Sequence, residues 1–180
     1  MKIRTAPQPP RPSSPGSRAA LYGALTALAL VAGYLEMLLP LPVGVPGVKL
    51  GLGNAVVLVA LDRLGWKPAG ALMLFKVIAS TILFANPQTF LFSLAGGAVS
   101  WLVMAAAARS KAFSVVAISV LGGVAHNIGQ LLTVAALLSP AVAWANAPFL
   151  LIAGVLCGAA VGVLVRAVLA ALPRGGRHGL

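Results

Sequence analysis

Apolar residues run along this chain in long blocks, and polar residues fall in short intervals between them. The blocks predict six helices, at 19–39, 50–64, 68–85, 89–108, 113–138 and 148–172. All but the short second approach the roughly 20 residues that cross a bilayer. Pro68 suits the first turn of its helix, and Pro148 is read as opening the sixth, with 139–147 as a connection. Between the first two blocks lies Leu39-Pro40-Leu41-Pro42-Val43-Gly44-Val45-Pro46-Gly47-Val48-Lys49-Leu50-Gly51-Leu52-Gly53-Asn54. Its prolines and glycines forbid a regular helix, yet it is almost wholly apolar. Irregular backbone at membrane depth is tolerated where protein buries it or where it lines a cavity. The stretch therefore reads as a lid or re-entrant turn.

Composition supports the membrane reading. The 180 residues are 60% hydrophobic and 8% charged, with mean hydropathy +1.01, against about a quarter charged in soluble domains. The net charge of +11 does not indicate nucleic acid, because the basic residues cluster at helix ends. Lys2, Arg4, Arg11 and Arg18 precede the first helix; Arg63 and Lys67 follow the second; Arg109 and Lys111 follow the fourth; Arg166, Arg174 and Arg177 lie toward the end of the chain. The alternate connections carry only Lys49. Under the positive-inside rule this predicts an even number of spans with both termini cytoplasmic. The segment 1–18 is basic and proline-rich and is expected to be a disordered tail, 19–172 a six-helix transmembrane domain, and 173–180 a short cytoplasmic tail. A cleaved signal peptide is a poorer reading, because the first apolar run is too long and further spans follow. Cys157 is the only cysteine, so neither an intrachain disulfide nor a cysteine metal cluster can form.

Small residues recur four apart in the first helix, at Ala20 and Ala24, Gly23 and Ala27, and Ala29 and Gly33. Such faces admit another helix closely. They offer a docking face for a partner at Ala20, Ala24 and Ala27, or an internal seam. Gly154, Gly158 and Gly162 read as a packing seam.

Polar groups within spans are costly, about 2.5–3.5 kcal/mol for a charge at mid-helix, and so they are functional candidates. Lys76 lies midway along the third helix, and His126, Asn127 and Gln130 form one stripe on the fifth. Glu36 lies near the outer end of the first helix, on the face of Ala29 and Gly33; Lys49 lies in the irregular stretch; Asn54 opens the second helix. All fall at mid-membrane or in the outer half. This predicts a ligand pocket open to the outside, weakly suited to an anionic or zwitterionic small molecule. The alternative for any single residue is an interhelical hydrogen bond.

Several chemistries are excluded. There is no phosphate loop with Lys-Ser/Thr, so ATP hydrolysis would need a partner. Glu36 and Asp62 are the only carboxylates, too few and too far apart to cage magnesium for diphosphate chemistry. One mid-helix histidine with one nearby carboxylate makes a metal site a poor reading, and no Ser-His-acid set is evident. Neither catalysis nor a cofactor is expected.

Glu36 followed by Pro40-Leu41-Pro42, then Pro46-Gly47-Val48-Lys49-Leu50-Gly51-Leu52-Gly53-Asn54, Phe92-Ser93-Leu94-Ala95-Gly96-Gly97 and His126-Asn127-Ile128-Gly129-Gln130, in that order and spacing, resemble the Gx transporter family. That family is also labelled heptaprenyl diphosphate synthase component I. The resemblance covers 21–138. Lys76 stands where the family leads one to expect Arg, and Ala85 where one expects Gly; the charge is kept, but bidentate recognition of a phosphate or carboxylate is weakened. The family is in turn similar to the six-helix substrate-binding S components of energy-coupling-factor vitamin transporters. The resemblance implies a substrate-capturing subunit in a bacterial-type plasma membrane, with an outer loop capping the ligand. A membrane coupling subunit and an ATPase would be its partners, docked on the small residues of the first helix. The synthase label implies instead a membrane partner of a separate prenyl synthase.

Overall fold

The structure, a computed structural model, describes residues 15–38, 51–84 and 87–171. Its elements are α1 (Pro15–Leu38), α2 (Leu52–Leu64), α3 (Trp66–Phe84), α4 (Pro87–Ser110), α5 (Val115–Leu137) and α6 (Pro140–Ala171). The six expected helices are present in the expected order, and no strand occurs among the described residues. The tails 1–14 and 172–180, and the segment 39–50 with Lys49, lie outside the described residues.

Local chemistry explains the boundaries. α2 starts after Gly51, whose φ of +83° is the left-handed conformation that glycine tolerates, and the Gly51 carbonyl accepts from the Asn54 and Ala55 amides at 2.8 and 3.1 Å. α2 and α3 are separated by the single residue Gly65, whose φ of +95° with an extended ψ is a conformation glycine favours, and whose N–H donates to the Leu61 carbonyl. Ser114 caps α5 by accepting from the Ala117 amide at 3.2 Å.

α6 departs from expectation. It begins at Pro140 rather than Pro148, so 140–147 is helix and not a connection. Ser139 precedes it and accepts from the Ala141 amide at 3.2 Å, with Pro140 in the first helical position. Alternating alanines carry the helix from there to Pro148. That proline lacks an amide and sits inside the helix, and Asn146 donates from its side chain back to the Val142 carbonyl at 2.8 Å.

Among the described residues, four helices are long and apolar enough to cross a membrane: α3, α4, α5 and α6. In α1 the apolar stretch is Ala19–Leu35. α2 has 13 residues, about 20 Å of rise against about 30 Å of hydrocarbon. Its burial accounts for its shortness. Gly53, Ala55, Val56, Val57, Leu58, Ala60 and Leu61 are all buried, and α2 packs against α1, α3, α4 and α6. A helix apolar on every side and enclosed by others does not have to match the bilayer thickness itself. The bundle exterior carries Leu28, Val31, Phe75, Ile82, Leu132 and Leu156, all exposed. An apolar outside around a packed inside is the arrangement of a multi-pass membrane protein.

The connections alternate between two ends. The α2–α3 and α4–α5 turns, with Arg63, Lys67, Arg109 and Lys111, lie at one end, here called the basic end. The opposite end receives the C-termini of α1, α3 and α5.

Candidate functional site

The structure brings two of the candidate residues into direct contact. Lys76, the eleventh residue of α3, donates from Nζ to Asn54 Oδ1 at 2.6 Å. Asn54 is the third residue of α2, so the ammonium lies beside that helix's first turn. Gly53 makes the approach possible. A Cβ there would stand 3.0 Å from Lys76 Nζ, 3.1 Å from Cε and 3.2 Å from the Ala29 carbonyl oxygen of α1. Three helices thus meet around one lysine: α3 supplies the charge, α2 the amide acceptor and the gap, and α1 a fully buried Ala29. The first turn of α2 has no side-chain cap at Gly51. A helix's partial positive charge is concentrated in its first turn, and Lys76 Nζ is bound to that turn through Asn54. A cation adjoining a helix N-terminus is a pairing that suits an anionic group.

On α5 the expected single stripe divides. His126 packs toward α4: a Cβ on Gly96 would lie 2.9 Å from His126 Cε1 and 2.9 Å from its carbonyl oxygen. Asn127 turns toward α6, donating from Nδ2 to the Leu150 carbonyl at 2.5 Å, with Gly154 leaving room for it. Adjacent helical residues point about 100° apart, and α5 lies between α4 and α6. Gln130 is half-buried, at a helical position between the two directions.

The remaining candidates are placed more simply. Glu36 lies in the last turn of α1; its side chain, like the whole of Lys49, lies outside the described residues. Ala20, Ala24 and Ala27 are all exposed, and a Cβ on the neighbouring Gly23 would meet nothing within 4 Å. The sequence singled out the charged and amide side chains but not the glycines beneath them. Gly53 and Gly96 are what seat Lys76 and His126, and their only sequence signal was membership of the Gly51-Leu52-Gly53-Asn54 and Gly96-Gly97 runs.

A separate apolar groove of about 480 Å³ runs between α4 and α5 toward the end opposite the basic one, with Leu91, Leu94, Val99, Leu132 and Leu137 on its walls. The one hydroxyl among its lining residues, on Thr133, is turned to the Gly129 carbonyl at 2.9 Å. The groove can take hydrocarbon and offers nothing to a polar ligand.

No curated protein and no solved structure matched the chain. The model of one family, described as heptaprenyl diphosphate synthase component I, matches residues 25–168. That span runs from within α1 almost to the end of α6 and includes Lys76, Asn54, His126 and Asn127 together with the glycines that seat them. The chain therefore belongs to the heptaprenyl diphosphate synthase component I family.

Proposed function

We propose that this chain is a non-catalytic, membrane-embedded subunit that captures a small ligand through an anionic group held at Lys76. The observation that carries this is the Lys76–Asn54 contact at the uncapped first turn of α2. A cation next to a helix N-terminus is the kind of surrounding that suits an anionic group. The reading extends the resemblance to transporter S components: Glu36, Lys49, His126 and Gln130 complete the ligand's surroundings, Asn127 holds the α5–α6 seam, and a separate coupling subunit and ATPase supply energy. Two carboxylates in the whole chain, Glu36 in α1 and Asp62 beside Arg63 at the basic end, argue against diphosphate catalysis by the chain itself. Native mass spectrometry of the detergent-purified protein tests the proposal. A retained small molecule is expected on the parent protein and absent from Lys76→Met. Identical spectra from the two would overturn it.

The family description favours a second reading, in which the chain is the membrane partner of a separate prenyl diphosphate synthase. The apolar groove between α4 and α5 then holds an isoprenoid tail. Deletion of the protein should in that case change prenyl product length, and a carboxylate-rich soluble synthase should co-purify with it. Unchanged product length with no such enzyme captured removes this reading.

A further inference from the structure

The basic end carries a cluster that neither reading uses. Trp101 of α4 packs against Gly70 of α3, where a Cβ would stand 2.7 Å from its ring. Its indole N–H donates to the Trp66 carbonyl at 2.9 Å. The two rings stack, with centroids 5.8 Å apart and planes 24° apart. Trp66 is thereby fixed at the start of α3, and two cations gather on it: the Arg109 guanidinium from the end of α4 at 5.1 Å from the ring centroid, and Lys67 Nζ at 5.6 Å. Of the chain's two acids, Asp62 is engaged with Arg63 at 3.4 Å and Glu36 lies in the last turn of α1. Two positive charges therefore share one aromatic platform, and among the described residues no carboxylate is paired with either.

The approach to this platform is hydrocarbon. Lys67 stands seven and eleven residues before Leu74 and Ile78, on the same face of α3, and both are exposed. Arg109 stands seven residues after exposed Leu102 on the same face of α4. Each cation thus terminates an exposed apolar stripe. A ligand that fits has an anionic head at the cations and chains along the stripes. A tryptophan at a span end marks the membrane interface.

We propose that the Trp66–Lys67–Arg109 corner is a binding site for the phosphodiester headgroup of an anionic phospholipid, with its acyl chains lying along α3 and α4. Tryptophan quenching tests it on the full-length protein in vesicles. Trp144, exposed on α6, is first replaced by phenylalanine, so that only Trp66 and Trp101 report. Chain-brominated phosphatidylglycerol is compared with chain-brominated phosphatidylcholine, each at low mole fraction in unlabelled phosphatidylcholine. Basic groups at an anionic leaflet give about fivefold each, so the pair should enrich the anionic lipid about tenfold or more. K67Q/R109Q should abolish the difference, and the charge-preserving K67R/R109K should retain it, which separates lost charge from lost fold. Equal quenching by both lipids in the parent overturns the proposal, as does a preference unchanged in K67Q/R109Q. Inorganic phosphate or diphosphate displacing the brominated lipid would make this a site for a soluble anion, and polyglutamate displacing it would make it a protein-docking patch. Either result overturns the lipid assignment.

Discussion

Glycine clears space at several seams of this bundle, and what fills the space differs between two of them. At the α5–α6 seam the nearest neighbours of Gly123 and Gly158 are backbone. A Cβ on Gly123 would lie 2.5 Å from the Gly154 carbonyl oxygen, and one on Gly158 2.8 Å from the Val120 Cα. At the α2–α3 seam the neighbour is the charged end of Lys76, 3.0 Å from the corresponding position on Gly53. The first arrangement joins two helices by close van der Waals contact, the usual adhesive where lipid competes equally for apolar surface. The second keeps a polar side chain inside the bundle. Glycine against backbone marks a packing seam, whereas glycine against a charged side chain marks a place the fold has prepared for chemistry.

The comparison is broken most forcefully at the first seam. Gly123→Val meets a carbonyl that cannot rotate away, so α5 and α6 must separate. Overpacking of this kind costs about 3 kcal/mol, well above the roughly 1 kcal/mol that leaving glycine returns to a helix. The melting temperature of the detergent-purified protein should fall by several degrees, with ligand retention lost only as the fold is lost. Lys76→Met is the opposite case. It removes a mid-span charge, and the isolated protein should melt at the same temperature or higher, while ligand retention falls at least tenfold, about 1.4 kcal/mol. If Lys76→Met unfolds the protein instead, Lys76 is a structural residue and the distinction between the seams fails.

Much of the fold was legible because it follows from lengths of apolar runs, which a bilayer makes nearly obligatory. The beginning of α6 was not. Pro148 reads as a start, and the better start, Ser139-Pro140, looks like part of a loop until the serine is seen capping the helix. The site was legible in part. A lysine in mid-span announces itself, but its partner 22 residues away and the glycine beneath it depend on how α2 crosses α3. The stripe of His126, Asn127 and Gln130 divides in the fold because spacing along one helix says nothing of which neighbours flank it. With α4 on one side and α6 on the other, adjacent residues serve different seams. Nothing local in sequence joins Trp66 to Trp101, which are brought together by α3 and α4 lying side by side.

Two smaller changes sharpen the contrast. Gly53→Ala places a methyl against a flexible ammonium arm that can give way, and against the firmer Ala29 carbonyl at 3.2 Å. Stability should change by no more than about 1 kcal/mol, since alanine's helix preference offsets the crowding. Ligand retention should drop, though less than in Lys76→Met, because the lysine is displaced from Asn54 rather than removed. Asn127→Leu deletes the hydrogen bond to the Leu150 carbonyl at the α5–α6 seam. Interhelical bonds of this type contribute about 0.6 kcal/mol on average, so a thermal melt should shift by a degree or two and no more. A larger loss, accompanied by loss of ligand, would move Asn127 from the packing seam to the site.

The smallest expected effect on the isolated subunit lies on α1, where small residues line a face that no described helix covers. Ala20, Ala24 and Ala27 are exposed, and Gly23 would meet nothing if given a side chain. Within this chain α1 packs through Ala29, which is fully buried, against α2 and α3. An internal role for the Ala20–Ala24–Ala27 face therefore has no support in the described contacts, and overpacking has nothing to collide with. Ala24→Leu should leave the melting temperature unchanged and the Lys76 site occupied. Its consequence should appear only with a partner. A coupling subunit that approaches α1 closely needs a surface without bulk, and a leucine there would hold the helices apart. Co-purification of the partner with the tagged Ala24→Leu protein from native membranes is expected to fail while ligand retention persists. If the partner still co-purifies at the parent level, α1 is a lipid-facing helix whose small residues serve no docking. If the isolated protein melts markedly lower, the face belongs to an internal seam and joins α5–α6 on the packing side of the comparison.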